Sequence, residues 1–167
     1  NVKIILPKII GKKIVTFGLT DEANFQATNI KIIKKDQGFC TSFDLIEKFE
    51  KKKIIKNIIF PMLGEHNIKN VLASISVSRG LNISYAQIKK SLKNFKGVKR
   101  RFTILYKSKE NLIVDDYAHH PVEIKSTLNS LRSITKNKII SVFEPHRYTR
   151  LSEMIDKFID SFKYSDQ

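Results

Sequence analysis

Hydrophobic positions change their spacing along the chain, and each change marks a different kind of element. Up to about residue 60 they come as short β-branched or aromatic runs, at 13–17, 28–33, 39–43 and 55–60. Gly18, Asp21, Gly38 and Pro61 bound these runs, so the pattern predicts strands. From Asn67 the spacing becomes helical, with Ile68, Val71, Leu72 and Ile75 on one face and Gly80 as a stop. Ser84 and Gln87 then form a capping box ahead of Ile88, Leu92 and Phe95. Gly97 breaks that pattern, and a boundary there divides the chain into expected domains at 1–97 and 98–167.

Past Gly97 the succession is more regular. Residues 111–115 predict a buried strand, and Pro121 suits the first position of a helix carried by Ile124, Leu128 and Leu131 to about Ile134. Residues 138–143 predict a second buried strand, followed by Leu151, Ile155, Phe158, Ile159 and Phe162 on one helical face. The order β-α-β-α with short connections is the signature of a parallel sheet covered by helices. The expected fold class is therefore α/β. Ligands of such sheets bind beyond the carboxyl ends of the strands, and the unusual chemistry falls there. Asp115-Asp116-Tyr117-Ala118-His119-His120-Pro121 follows the first strand, and Glu144-Pro145-His146-Arg147-Tyr148-Thr149-Arg150 follows the second. All four histidines, His66, His119, His120 and His146, lie in junctions.

Composition narrows the choice of function. The 167 residues contain no apolar run near the roughly 20 needed to span a membrane, and nothing resembles a cleaved signal peptide. Cys40 is the only cysteine, which excludes a disulfide scaffold. The formal charge of +15 points toward an anionic partner. Of the 31 cations, 25 are lysines scattered along the chain, so the excess reads as a compositional bias rather than one binding stripe. A nucleic-acid module would explain the charge, but there is no interleaving of aromatic and basic residues and no recognisable reading helix.

Each polar cluster has a plainer alternative. Asp115 and Asp116 could cap the helix that begins at Pro121. His119 and His120 could bind zinc, yet neighbours on an extended segment point apart and no further ligands occur at metal spacing. Arg147 and Arg150, three apart at a helix start, form a fork suited to a carboxylate or phosphate; the alternative is a solvated helix end, where cations oppose the dipole. Asn67 and Asn70 could be an ordinary helix start, and Tyr117 and Tyr148 could be rim packing.

In combination the clusters carry more weight. Gly64-Glu65-His66-Asn67-Ile68-Lys69-Asn70, Gly97-Val98-Lys99-Arg100-Arg101-Phe102, the Asp-Asp-Tyr-Ala-His-His-Pro segment and Pro145-His146-Arg147-Tyr148-Thr149-Arg150 occur in that order. Together they closely resemble the Mur ligases, weakly over 1–60 and strongly from about Pro61 onward. The last segment is most similar to the branch that joins L-alanine to UDP-N-acetylmuramate. A branch that attaches a recycled tripeptide shares the Asp-Asp-x-Ala-His-His-Pro element and is the alternative.

The resemblance implies the end of a central ATP-binding α/β domain followed by the first part of a Rossmann-like parallel α/β domain. It implies a cytoplasmic bacterial enzyme of peptidoglycan precursor synthesis that uses ATP and Mg²⁺. By similarity, His66, Asn67 and Asn70 lie at the adenine, Arg101 reaches the phosphates and Asp116 the ribose. Tyr117, His119, Arg147 and Arg150 face the muramoyl lactate and the incoming amino acid, with Arg101 and His119 nearest the chemistry. No metal ligand is assigned among these residues. The family's Gly-x-x-x-x-Gly-Lys-Ser/Thr phosphate loop is absent: Gly11-Lys12-Lys13 lacks the first glycine and the hydroxyl. The start at Asn1 and the stop after Gln167 lead to the expectation of a fragment carrying one wall of an active site, inactive alone.

Overall fold

A computed structural model describes residues 8–9, 11–35, 38–49 and 51–167. The first sheet has the order β1 (Phe17–Gly18), β2 (Phe25–Lys35), β3 (Gly38–Glu47) and β4 (Lys53–Phe60). β1 runs parallel to β2, while β2, β3 and β4 are antiparallel neighbours. Three of the expected runs thus grow into longer strands. The run at 13–17 does not, because only Phe17 and Gly18 pair with β2. Just before it, Thr16 is tied to Asn24 through its side chain.

The register slips once in each antiparallel pair, between Thr28 and Lys31 and between Phe43 and Leu45. Asp44 spans both irregularities, accepting from the Asn29 amide and from the Asn57 N–H at 2.9 Å each. Those two bonds, the Asn29 bond first, hold its carboxyl below the ordinary range.

Helices α1 (Glu65–Gly80) and α2 (Tyr85–Asn94) cover this sheet. Ile68, Leu72 and Ile75 of α1 and Ile88 of α2 join Phe25, Phe43, Leu45, Ile58 and Phe60 in one core. The expected helical stripe is the buried one, and the Ser84–Gln87 capping box is formed. At the site end of the sheet, the Thr41 hydroxyl donates to the Met62 carbonyl at 2.6 Å and fixes the loop that leads into α1.

The remaining chain forms β5 (Thr103–Lys107), β6 (Leu112–Asp115), α3 (Pro121–Ile134), α4 (Tyr148–Glu153) and α5 (Ile155–Ser161). Ile124, Leu128, Ile139 and Phe158 make a second core. The α/β class holds, but three local expectations change. The strand at 111–115 is half-exposed, because it pairs antiparallel with β5 in a two-stranded hairpin that leaves Leu105 and Ile113 uncovered. Residues 138–143 enter no strand ladder among the described residues. Their backbone groups bond instead to the end of the chain: Asp166 and Gln167 N–H to the Ile139 carbonyl, and Ser141 N–H to the Gln167 carbonyl. The expected last helix breaks at Met154 (φ −129°), so Phe158 is buried while Ile155 and Ile159 face outward.

Candidate functional site

A cleft of about 1030 Å³ opens between the first turns of α1 and one side of α3. His66, Asn67 and Asn70 reach it from α1, Arg101 from the segment before β5, and Glu123 and Ser126 from α3. Gly64 makes the entry to α1 possible. Its φ of 97° suits glycine, and a Cβ there would meet the His66 ring at 2.8 Å and the Ser130 hydroxyl oxygen at 3.0 Å.

His66 Nδ1 lies 2.7 Å from Ser126 Oγ, a contact that ties α1 to α3 across 60 positions of sequence. Burial lowers the His66 pKa from its ordinary 6.5; Asp116, Glu123 and Glu65 pull it upward and Arg101 pushes it down. Asn67 is buried, and its amide donates to the Leu63 carbonyl at 2.7 Å. Asn70 stands exposed in the cleft one turn further on.

Arg101 and His119 meet through a residue the motifs did not single out. Glu123 Oε1 lies 3.4 Å from Arg101 Nη1, while Oε2 accepts from the backbone N–H of His119 at 3.2 Å and of His120 at 3.3 Å. Glu123 also stands three positions after His120, which is the N-cap of α3. That His-x-x-Glu spacing is a capping box with histidine in the place of serine, the one sequence signal that could have revealed it. Burial alone would raise the Glu123 pKa; the His119 N–H and the Arg101 guanidinium outweigh it and leave the carboxyl below the ordinary range.

The capping role considered as the alternative for Asp115 and Asp116 falls to His120. Asp116 instead accepts from the Phe102 N–H at 2.7 Å and the Ala118 N–H at 2.8 Å. Tyr117 N–H donates to the Arg100 carbonyl at 2.7 Å alongside. These bonds hold Arg100 (φ 55°) and Phe102 (φ 52°) in left-handed backbone conformations on either side of Arg101. The Tyr117 ring packs edge-on to His119 at 5.1 Å and lies beneath the Arg100 guanidinium at 5.0 Å.

The structure thus gathers His66, Asn67, Asn70 and Arg101 in the cleft and Asp116, Tyr117 and His119 beside it. Arg150 joins the second group, with Nη1 donating to the His119 carbonyl at 3.3 Å. Arg147 does not. It is exposed, with φ 67°, and precedes α4 rather than lying on it, so the two arginines are not on one helical face as their spacing suggested. Among the described residues no three His, Cys, Asp or Glu side chains converge as a metal-holding group. By themselves the described residues do not make a Mg²⁺ site. No helix among the described residues is long and apolar enough to cross a membrane.

Residues 3–78 match the Mur ligase middle domain and residues 100–166 the Mur ligase glutamate ligase domain. The UDP-N-acetylmuramate–L-alanine ligase of Agrobacterium fabrum is 40% identical over 169 residues, covering 99% of this chain and 35% of the relative. That of Pelagibacter ubique is 41% identical over 167 residues, covering 99% and 36%. The chain therefore spans about a third of the length of the curated relatives it matches. The crystal structure of the UDP-N-acetylmuramate–alanine ligase of Thermotoga maritima superposes with a TM-score of 0.73 at 26% identity, over 92% of this chain and 33% of that one.

Proposed function

Since the chain belongs to the Mur ligase family, we propose that the protein carrying it joins L-alanine to UDP-N-acetylmuramate at the expense of ATP, in peptidoglycan precursor synthesis in the bacterial cytoplasm. The division at Gly97 is part of the same reading, with 1–97 as the end of the ATP-binding domain and 98–167 as the start of the next.

The observation that carries the proposal is the placement of Arg101 and His119 on the two sides of Glu123. A cation suited to phosphate and a histidine at a strand end are thereby held within one charge network, next to a cleft large enough for a nucleotide. In the proposed reaction the muramoyl carboxylate attacks the γ-phosphorus of ATP, ADP departs, and an acyl phosphate forms. The alanine amine then attacks the acyl carbon, and inorganic phosphate leaves with the bonding pair. Mg²⁺ would supply charge neutralisation from ligands outside this set of residues. Phosphoryl transfer asks the protein mainly for alignment and charge stabilisation.

Within this chain, Asn70 and His66 face the adenine, with Asn67 behind them shaping the wall. Asp116 faces the ribose: both its oxygens already accept backbone N–H groups, and each retains a lone pair for a hydroxyl. Arg101 meets the phosphates, while Tyr117, His119 and Arg150 face the lactate and amino acid. Arg147 completes this group when its guanidinium turns onto the substrate carboxylate.

The test is product formation by the full-length protein with ATP, UDP-N-acetylmuramate and L-alanine, glycine or L-serine. Phosphate release that depends on the amino acid and on the muramate, strongest with L-alanine, is expected. Release without dependence on the muramate overturns the reading. The 167-residue chain by itself is expected to give no turnover, since it has no phosphate loop.

A further inference from the structure

Glu123 stands between the two halves of the site, and its two oxygens do different work. Oε2 takes the N–H groups of His119 and His120, and Oε1 alone meets the Arg101 guanidinium. The side chain of His119 bears on the same carboxylate, with Nδ1 at 3.6 Å from Oε2 and 3.0 Å from the Tyr117 carbonyl oxygen. We propose that Glu123 is a positioning residue that couples the nucleotide side of the site to the substrate side, holding Arg101 and the His119–His120 turn in one frame. The proposal rests on the ligase reading and adds to it.

The geometry separates this role from plain helix capping. A cap needs only Oε2, and His120 contributes its own acceptor to the Val122 N–H. The ion pair through Oε1 adds nothing to the cap. It does restrain Arg101, whose backbone is already set by the left-handed residues on either side. A phosphate drawing on Arg101 would therefore pull on Oε1, and the same rigid carboxylate would carry the pull to the His119 and His120 amides.

Glu123→Gln divides the two functions. The amide oxygen can occupy the Oε2 position and keep both backbone bonds, while the amide nitrogen then faces Arg101, donor against donor. In the full-length protein this variant should still unfold cooperatively, with only a modest fall in thermal midpoint from the lost charge, and lose roughly tenfold or more in kcat, the scale of a misplaced catalytic group. In an Arg101→Ala background the same substitution should cost less than about twofold, because the two act as a unit. A second measurement needs no turnover. AMP-PNP added to ¹⁵N-histidine-labelled full-length protein should shift the His119 and His120 amide signals in the wild type, and much less in Glu123→Gln.

An unchanged kcat with tighter ATP binding would make Glu123 a mere neutraliser of Arg101 and overturn the proposal. Equal losses in both backgrounds, or equal amide shifts in wild type and variant, would also overturn it. A wild-type protein that forms no product but transmits AMP-PNP binding to His119 through Glu123 would sink the ligase reading and leave the coupling standing.

Discussion

At the residue scale, Asp116 is a carboxylate already committed to the backbone. Its carboxylate accepts two backbone N–H groups from opposite sides, Phe102 and Ala118. Asp116→Asn keeps only one oxygen, so one N–H loses its partner, and chemical denaturation should report a loss of about 1.5–3 kcal/mol, the usual worth of a bond to a charged group. Asn70→Ala should leave stability within about 0.5 kcal/mol, as for exposed positions, and raise the KM for ATP more than that for alanine. Arg147 separates in the opposite way. Its positive φ costs a side chain about 1 kcal/mol that glycine avoids. Arg147→Gly should thus match or exceed the wild type in midpoint denaturant concentration while losing activity, and Arg147→Lys should lose activity with no change in stability. Variants with full activity would reduce Arg147 to surface charge. Asp116, His119, Arg147 and Arg150 became candidates because rare chemistry gathered at predicted strand ends, whereas Asn67, Asn70 and Arg101 were singled out only through the family resemblance. Ser126 was not legible, since a serine inside a helix carries no signal and its partner His66 lies 60 positions away.

At the element scale, legibility followed local chemistry. α2 announced its start: Ser84 Oγ accepts the Gln87 N–H at 3.3 Å, and Gln87 Oε1 accepts the Ser84 N–H at 3.2 Å. Ser84→Ala removes one half of that exchange and should lower stability by about 1 kcal/mol, within the 0.5–2 kcal/mol range of lost caps, by thermal or denaturant unfolding. Ser84→Asp should retain most of it. A variant as stable as wild type would show that packing of Ile88 alone holds the helix. The long strands were read from their apolar runs, but their ends were not, because β2 and β3 extend through polar residues such as Lys34, Lys35 and Glu47 that only pairing can specify. Residues 138–143 mark the opposite failure. Their pattern is that of an interior strand, and Val142 is nearly fully exposed. A strand is a relation between two segments, and the backbone of Ile139 and Ser141 is committed to residues 166 and 167. The β5–β6 hairpin was missed for a related reason: its turn, closed by Ser108 and Asn111, contains neither glycine nor proline.

At the scale of the whole molecule, the described residues form two hydrophobic cores, one built on the four-stranded sheet and one on α3, and α1 and α3, which each contribute to one of them, face each other across the cleft. The contact of His66 with Ser126 is a direct tie between the two helices. Its half-buried position makes it sensitive to acid. Burial is the largest influence on His66 and lowers its pKa in the folded chain, against the upward pull of Asp116, Glu123 and Glu65. The folded state therefore binds fewer protons than the unfolded one as pH falls below 6.5, the ordinary value of the group. Stability from this residue is complete above that pH and is lost progressively on acidification toward the lowered folded value. Thermal midpoints measured between pH 7.5 and 5.5 should fall more steeply for the wild type than for His66→Gln, whose side chain can still bond Ser126 but takes up no proton. Ser126→Ala should lower the midpoint at every pH, since it leaves the half-buried imidazole nitrogen without its hydroxyl partner. Parallel curves for wild type and His66→Gln would mean that the imidazole titrates alike in the folded and unfolded states and that its burial does not govern the acid sensitivity.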